Sequence, residues 1–318
     1  MSRPSSPQLA TAVLNSDPTW FAHFARPNQV WTEEVVNYWR PGKTGFSAIP
    51  VGQPVFLRLR HPANVIAGFG FYSETVELPL GITWELFGPR NGAPTQERFE
   101  SLIRKYRASE EMYRPLISIL LSNVSFLPLG WRIPWGEAEG WSRNIVALKA
   151  YDLSTEPGNR LLELMDLVGE MRPAFLEERF QMPDGDSRLR HETEVVLREG
   201  QAVFRARLLN SYRCCAVSGE HSLPVLDAAH ITPYLGPASN HPQNGLVLRT
   251  DIHRLFDAGY VTVTPSLNFL VSPNLRKDFA NGEAYYAMQG RRLHLPPDRA
   301  HQPSAEALEW HLESRFRR

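Results

Sequence analysis

The stretch that decides the fold of the C-terminal part reads Leu226-Asp227-Ala228-Ala229-His230-Ile231, then Asn244-Gly245-Leu246-Val247-Leu248-Arg249, then Asp251-Ile252-His253-Arg254-Leu255-Phe256-Asp257. Val225 to Ile231 predicts a strand that ends in a histidine, and Leu246 to Arg249 predicts a second strand. The residues between them, 236–243, are rich in Pro and Asn and predict a loop.

A short helix is predicted directly after the second strand. Thr250 or Asp251 can cap it. On this helix His253 and Asp257 are four residues apart in the chain and therefore share a face. The order strand, loop, strand, helix lets His230, His253 and Asp257 converge.

Such a group of side chains suits the hydrolysis of phosphodiesters. A divalent metal ion can neutralise charge on the scissile phosphate and stabilise the leaving oxygen, while a neutral imidazole takes a proton from the attacking water. An ordinary imidazole pKa near 6.5 fits that base role. A mixed nitrogen and oxygen site accepts Mg²⁺ or Mn²⁺, with Co²⁺, Ni²⁺ or Zn²⁺ as alternatives.

The stretch resembles the HNH, or ββα-metal, nuclease family. The resemblance covers roughly residues 188–275 and implies that His230 is the general base, that Asn244 braces the loop between the strands, and that His253 is a metal ligand on the helix. Many HNH enzymes carry a further ligand just before the base, where this chain has Ala229. Asp257 is the preferred substitute because helical spacing aims it at His253, and Asp227 is the other candidate.

Composition limits the class of protein. Lys plus Arg and Asp plus Glu both number 34, so positive charge for nucleic acid must be localised. The adjacent Cys214 and Cys215 exclude a disulfide framework and a paired CxxC zinc site. Residues 1–15 lack a secretory signal, and the most apolar stretch, 115–121, is too short to cross a bilayer. We expect a cytoplasmic protein without membrane contact.

The first part of the chain has the pattern of a small β-barrel. Residues 55–60 alternate apolar and basic side chains, as in a half-buried strand, and residues 65–71 read as its neighbour, with glycines that indicate a bulge or a close backbone approach. Residues 116–121 predict a buried strand and residues 145–147 a short one. Residues 95–107 predict a helix capped by Thr95.

Two further helices are predicted, at 159–171 and 188–212, on either side of the turn-rich stretch 181–187. The second carries an arginine-rich face, which is either solvated or functional. No residue beyond Gly282 is predicted to take part in chemistry. We therefore expect an α+β chain with three parts, a recognition domain at 1–153, a helical linker at 154–187 and a nuclease domain at 188–318.

The first part is similar, in the order of its motifs, to PUA-type barrels, the superfamily that includes the EVE, ASCH, YTH and SRA modules. The resemblance covers residues 17–153 and implies a pocket for a flipped base, held between aromatic rings with polar groups on its edge. The candidates for this pocket are Asn37, Tyr38, Trp39, Phe69, Phe71, Trp84 and Asn123. The alternative is that most of these aromatic residues belong to the core. The candidate phosphate contacts are Arg40, Arg58, Arg60, Arg249 and Arg254.

The two parts together predict a DNA endonuclease that restricts double-stranded DNA carrying modified cytosine. A homodimer is expected, because each HNH site cuts one strand. One alternative is a restriction or repair nuclease that acts on unmodified DNA. A second is a catalytically silent protein that binds DNA.

Overall fold

The computed structural model describes residues 10–26, 28, 31–41, 49–108, 111–112, 114–168 and 200–318. The chain divides into two compact units, Met1–Glu178 and Arg179–Arg318. No helix in the described ranges is long and apolar enough to cross a bilayer. The predicted α+β class is confirmed, and each unit is described by itself.

The first unit is built on one mixed sheet. Its strands are β1 (Ala10–Ser16), β2 (Trp31–Arg40), β3 (Pro54–Leu59), β4 (Val65–Leu78), β5 (Leu116–Phe126), β6 (Ile133–Pro134) and β7 (Leu148–Asp152). Its helices are α1 (Pro18–Phe24), α2 (Leu80–Phe87), α3 (Gln96–Arg104) and α4 (Asn159–Val168).

The strand order is β2-β5-β4-β3-β1-β7, with β6 paired to β4. The pair β1–β3 is parallel and the other pairs are antiparallel. Among the described residues no ladder joins β2 to β7, so the predicted small β-barrel is not closed by hydrogen bonds between strands. Only such a ladder would remove the two sheet edges.

Apolar side chains cover both faces of this sheet. Val55 and Leu57 of β3 belong to one core with Trp20, whereas Phe56 belongs to a second core with Trp135. Because successive residues of a strand point to opposite faces, the two cores lie on opposite sides of the sheet. The predicted half-buried pattern of residues 55–60 is therefore wrong for β3, all of which is buried.

The glycines of β4 allow close contact with β5. A Cβ atom at Gly68 would lie 2.7 Å from the carbonyl oxygen of Ser125, and one at Gly70 would lie 2.7 Å from the Val124 side chain. The register of β4 against β5 shifts between Phe69 and Phe71. The predicted close approach and bulge are both present.

Other local predictions have mixed outcomes. Thr95 caps α3, accepting a hydrogen bond from the Arg98 amide at 3.3 Å, and the buried strand at 116–121 extends to Phe126. The short strand predicted at 145–147 is wrong, because the strand there is β7, paired to β1. Helix α4 packs against the second core of the first unit through Leu161 and Leu164. The predictions at 169–199 lie outside the described residues.

The second unit combines two hairpins with several helices. Its strands are β8 (Leu226–His230), β9 (Gly245–Arg249), β10 (Val261–Val263) and β11 (Phe269–Val271). Its helices are α5 (Gln201–Tyr212), α6 (Thr250–Asp257), α7 (Pro273–Phe279), α8 (Glu283–Tyr286) and α9 (Ala305–Ser314). Strands β8 and β9 pair antiparallel, with His230 opposite Gly245, and α6 follows β9 directly. This is the predicted order of strand, loop, strand and helix.

Candidate active site

The loop between β8 and β9 is held by the buried side chain of Asn244. Its Oδ1 accepts hydrogen bonds from the backbone amide and the hydroxyl of Thr232, both at 2.9 Å, and its Nδ2 donates to the carbonyl of Ser239 at 3.0 Å. Asn244 is fully buried. These bonds tie Thr232 and Ser239 of the loop to the residue that precedes β9, and they hold the chain next to the end of β8, where His230 lies.

Gly245 is required by the approach of α5. A Cβ atom there would lie 2.4 Å from Leu208 and 2.7 Å from Phe204. Its φ of −137° is that of an ordinary strand residue. The glycine therefore serves helix packing rather than a turn, and it allows α5 to support the back of the hairpin.

Phe204 and Asn240 are among the residues that orient the imidazole of His230. Its ring stacks on Phe204, with centroids 4.2 Å apart and planes inclined by 10°. Its Nε2 lies 3.1 Å from Oδ1 of Asn240. Because an amide oxygen only accepts, Nε2 carries the proton in this bond, and Nδ1 is then the nitrogen with the lone pair. A general base that accepts a proton at Nδ1 requires this tautomer.

The ring of His253 lies between two carboxylates. Its Nδ1 is 3.3 Å from Oδ2 of Asp227, and its Nε2 is 3.4 Å from Oδ2 of Asp257. The contact with Asp257 follows from their spacing on α6. The contact with Asp227 brings β8 against α6. Both candidates from the sequence thus reach the same histidine, at opposite nitrogens.

Most of these side chains line one cavity of about 440 Å³. Its lining includes His230, His253, Asp257, Tyr234, Trp310 and Arg315. The last two come from α9 and its C-terminal end, in the region where the sequence predicted no chemistry. The lining does not include Asp227. The edge of the His253 ring that contacts Asp257 is therefore the edge that faces the cavity.

The HNH endonuclease family matches residues 215–264, which span this hairpin and helix. The chain contains an HNH endonuclease domain. An HNH endonuclease domain implies DNA as the substrate. No curated protein matches this chain.

Solved structures with a distant likeness were also found. ASCH from Zymomonas mobilis is 14% identical, with a TM-score of 0.30, over 48% of this chain and 93% of that chain. A point mutant of the same protein gives 13% identity and a TM-score of 0.33 over 50% of this chain and 97% of that chain. A structure described as the modification-dependent TagI restriction endonuclease is 10% identical, with a TM-score of 0.24, over 95% of this chain and 79% of that chain.

The donor set of the HNH domain fits a divalent metal ion. In the described residues no group of three or more His, Cys, Asp or Glu side chains forms a complete metal cage. His253 and Asp257 present one imidazole nitrogen and one carboxylate to the cavity. Ions such as Mg²⁺ keep several waters and bind through one or two carboxylates together with substrate phosphates. The carboxylate of Asp257 on an open cavity agrees with that pattern, and the imidazole nitrogen of His253 is a ligand that suits transition metal ions.

The first unit places Asn37 in a buried polar network. Asn91 donates through Nδ2 to the carbonyls of Thr83 and Gly88, which leaves its Oδ1 to accept from Nδ2 of Asn37 at 2.8 Å. The orientation of Asn37 is therefore fixed, and its own Oδ1 meets no donor among the described residues. A buried acceptor without a donor costs about 1–3 kcal/mol, which a ligand or a buried water can offset.

The aromatic candidates for the base pocket are buried to different degrees. Phe69 lies in the second core, and Phe71 is also buried. Trp39 is buried too, and its Nε1 donates to the carbonyl of Asn91 at 3.0 Å. Trp84 is half-buried against Phe99.

The remaining two pocket candidates lie on β2 and β5. The Tyr38 hydroxyl donates to the carbonyl of Asn15 at 3.2 Å, and burial raises the pKa of Tyr38 to about 12. Asn123 is half-buried, with a positive φ of 47°. Asn37, Trp39 and Tyr38 are thus neighbours on β2, apart from Phe69 in the other core.

The prediction that Arg58 contacts a phosphate is wrong. It is 5% exposed, and its three nitrogens donate to the carbonyl of Trp135 and to Oδ1 of Asn15 and of Asn64. Its guanidinium carbon also lies 4.8 Å from the ring centroid of Trp141. A guanidinium satisfied in the core does not reach a phosphate, so Arg58 is a packing residue.

The other four arginines that were predicted to contact phosphate differ in exposure and in their present hydrogen-bond partners. Arg249 forms a bidentate pair with Asp251, at 2.7 and 2.8 Å, which lowers the pKa of Asp251 to about 2. Arg60 is half-buried and donates to the carbonyl of Asn15, and Arg40 is half-buried as well. Arg254 is exposed.

Proposed function

We propose that the chain is a metal-dependent DNA endonuclease whose reaction centre is the cavity of the HNH domain. The observation that carries the proposal is that three of the matched residues, His230 from β8 and both His253 and Asp257 from α6, line one cavity. In this role His230 takes a proton from the attacking water at Nδ1. Asn240 holds the other ring nitrogen, and Asn244 fixes the backbone that presents the histidine.

His253 and Asp257 would hold the metal ion, with Asp227 hydrogen-bonded to the opposite nitrogen of His253. Mg²⁺ or Mn²⁺ suits these donors, and Co²⁺, Ni²⁺ or Zn²⁺ are alternatives. When bound, the ion supplies positive charge to the scissile phosphate and the leaving oxygen. The carboxylate of Asp227 would fix the orientation of the His253 ring.

We further propose that the first unit selects DNA that carries modified cytosine, by accepting a flipped base. The orphaned Oδ1 of Asn37 supports this role, because the exocyclic amino group of a base is a donor that such an acceptor can bind. The half-buried ring of Trp84 is available for stacking. The domain limits 1–153, 154–187 and 188–318, a cytoplasmic location and a homodimer remain parts of this proposal.

A digest of matched DNAs tests the selection step. The same duplex is prepared with cytosine, methylcytosine, hydroxymethylcytosine or glucosylated cytosine and is incubated with Mg²⁺ or Mn²⁺. We expect at least one modified form to be cut and the unmodified form to be spared. Equal cutting of all four would support the alternative nuclease for unmodified DNA. Binding without any cutting in every metal would support the silent DNA-binding protein.

The oligomeric state is tested separately by light scattering of the full chain. A double-strand break needs two HNH sites, so we expect a dimer in solution with or without DNA. A protein that remains a monomer on its substrate and still breaks both strands at once would contradict this part of the proposal.

A further inference from the structure

Helix α9 is locked onto the helix that carries His253 and Asp257. His311 of α9 is 2% exposed, and its ring stacks on Phe256 with centroids 3.6 Å apart. Its Nε2 lies 3.2 Å from the carbonyl of Phe256, and its Nδ1 lies 2.9 Å from the hydroxyl of Thr262. Because a carbonyl only accepts, Nε2 donates, and Nδ1 accepts from Thr262. Both ring nitrogens are thus used to dock α9.

The C-terminal end of α9 is also held against the turn that follows α6. The amide of Arg315 donates to the carbonyl of His311 at 3.0 Å. The turn after α6 approaches so closely that a Cβ atom at Gly259 would lie 2.1 Å from the carbonyl oxygen of Arg315. Gly259 also has a positive φ of 76°, which favours glycine. The backbone of Arg315 therefore has a fixed position relative to α6.

Arg315 lines the cavity that His230, His253 and Asp257 also line. Its guanidinium carbon lies 5.8 Å from the ring centroid of Trp310, which also lines the cavity. The Arg315 side chain is exposed, and in the described ranges no carboxylate forms an ion pair with it. The described lining contains no other arginine or lysine.

We propose that Arg315, supported by Trp310, binds a phosphate of the DNA backbone next to the scissile bond. This inference rests on the proposed nuclease function. A guanidinium is always charged and matches the oxygens of a phosphate with a bidentate fork. Stacking on an aromatic ring favours a cation without occupying its hydrogen-bond donors. The catalytic cavity therefore includes residues about 50 positions beyond the end of the family match at residue 264.

Binding measurements on the full chain test the role of Arg315. A fluorescent duplex of mixed sequence, made with cytosine or methylcytosine, is titrated in EDTA at several salt concentrations with the wild type, Arg315→Gln and Arg315→Lys. Arg299→Gln is the matched control, since Arg299 is an exposed arginine of the same C-terminal segment outside the cavity. Thermal melting of each variant establishes that it is folded.

We expect Arg315→Gln to weaken binding roughly ten-fold and to lower the slope of log K against log salt by about one, as for the loss of one phosphate contact. Arg315→Lys should restore the slope but not the full affinity, because an ammonium ion lacks the planar fork. Arg299→Gln should bind like the wild type. Equal affinities and equal slopes for Arg315→Gln and Arg299→Gln would overturn the proposal.

Nicking of the same DNA with Mn²⁺ separates this inference from the proposed function. If the wild type nicks and Arg315→Gln matches the Arg299→Gln control in binding and in nicking, only the role of Arg315 is overturned. If the wild type binds without nicking, the nuclease proposal fails, and a selective binding loss in Arg315→Gln still supports the phosphate contact. If the wild type does not bind DNA, both proposals fail.

Discussion

Asp227 and Asp257 contact opposite edges of one imidazole, that of His253, at 3.3 Å from Nδ1 and 3.4 Å from Nε2. The two nitrogens of a ring point in divergent directions, so a metal ion on one nitrogen shares that edge with only one of the carboxylates. The other carboxylate then accepts from the remaining N–H and orients the ring. The two candidates from the sequence are therefore not equivalent alternatives, and each has its own expected effect.

Metal binding distinguishes these two roles. Asp257→Asn should weaken Mn²⁺ binding by at least about 100-fold, and Asp227→Asn by roughly 10–100-fold, because the first removes a ligand and the second only an orienting acceptor. Isothermal titration with Mn²⁺ measures both, with the exposed Glu309→Gln as a control. A larger loss in Asp227→Asn than in Asp257→Asn would reverse the assignment.

The contact between His230 and Asn240 predicts a change in pH dependence. Asn240→Asp places a carboxylate 3.1 Å from Nε2 of His230, the distance of the present amide oxygen. The negative charge favours the protonated imidazole, so the pKa of His230 in this variant rises. The acidic limb of the pH profile of kcat/KM should then move to higher pH. A profile that coincides with that of the wild type would show that His230 is not the titrating base.

Asn244 should affect stability more than the chemical step. Asn244→Ala removes the acceptor of two buried donors of Thr232 and the donor to Ser239. We expect the free energy of unfolding of the second unit to fall by about 2–4 kcal/mol, since buried groups left without partners are costly. Urea unfolding, followed by hydrogen exchange of peptides from 226–250, measures this loss. Unchanged protection there would contradict the bracing role.

The buried His311 predicts an acid-sensitive second unit. Burial lowers the pKa of His311 to about 4, from 6.5. The unfolded chain therefore takes up the proton first, so this stability is present above pH 6.5 and is lost as the pH falls towards 4, by up to about 3 kcal/mol. His311→Asn should flatten the pH dependence of unfolding in this window, whereas the exposed His294→Asn should not. Equal slopes in the two variants would exclude His311 as the cause.

Much of the candidate site follows from chain order alone. A strand that ends in His230, a second strand after Asn244 and a helix with His253 and Asp257 at four-residue spacing can converge in few ways, and the structure has that order. The periodicity of apolar residues was sufficient to predict each strand and the helix, because the whole hairpin and helix span a short, continuous stretch. The family match at residues 215–264 covers the same stretch.

The remaining parts depend on contacts between distant residues, which periodicity does not encode. Phe204 reaches His230 from a separate helix, and Trp310 and Arg315 reach the cavity from α9 and its C-terminal end, which His311 and other contacts dock against α6. No local pattern marks these partners. A search of the C-terminal helix for an aromatic residue near an arginine would have found the last pair, although not its location.

Arg58 illustrates a second limit of sequence patterns. Alternating apolar and basic residues predict one solvated face. In the structure that face is covered by a second core, and three neutral acceptors far apart in sequence satisfy the guanidinium. The pattern of β3 alone cannot distinguish a solvated arginine from one that is buried with its donors satisfied.

The most direct measurement is the conversion of supercoiled plasmid to its nicked form by the wild type and by His230→Ala, with Mn²⁺ and with EDTA. The plasmid carries the cytosine form that the wild type cuts. We predict nicking that requires the metal ion and falls by roughly 10²–10⁴-fold in His230→Ala, because the base is lost while the fold remains. Nicking by His230→Ala at the wild-type rate would contradict the assignment of this cavity as the site of DNA cleavage.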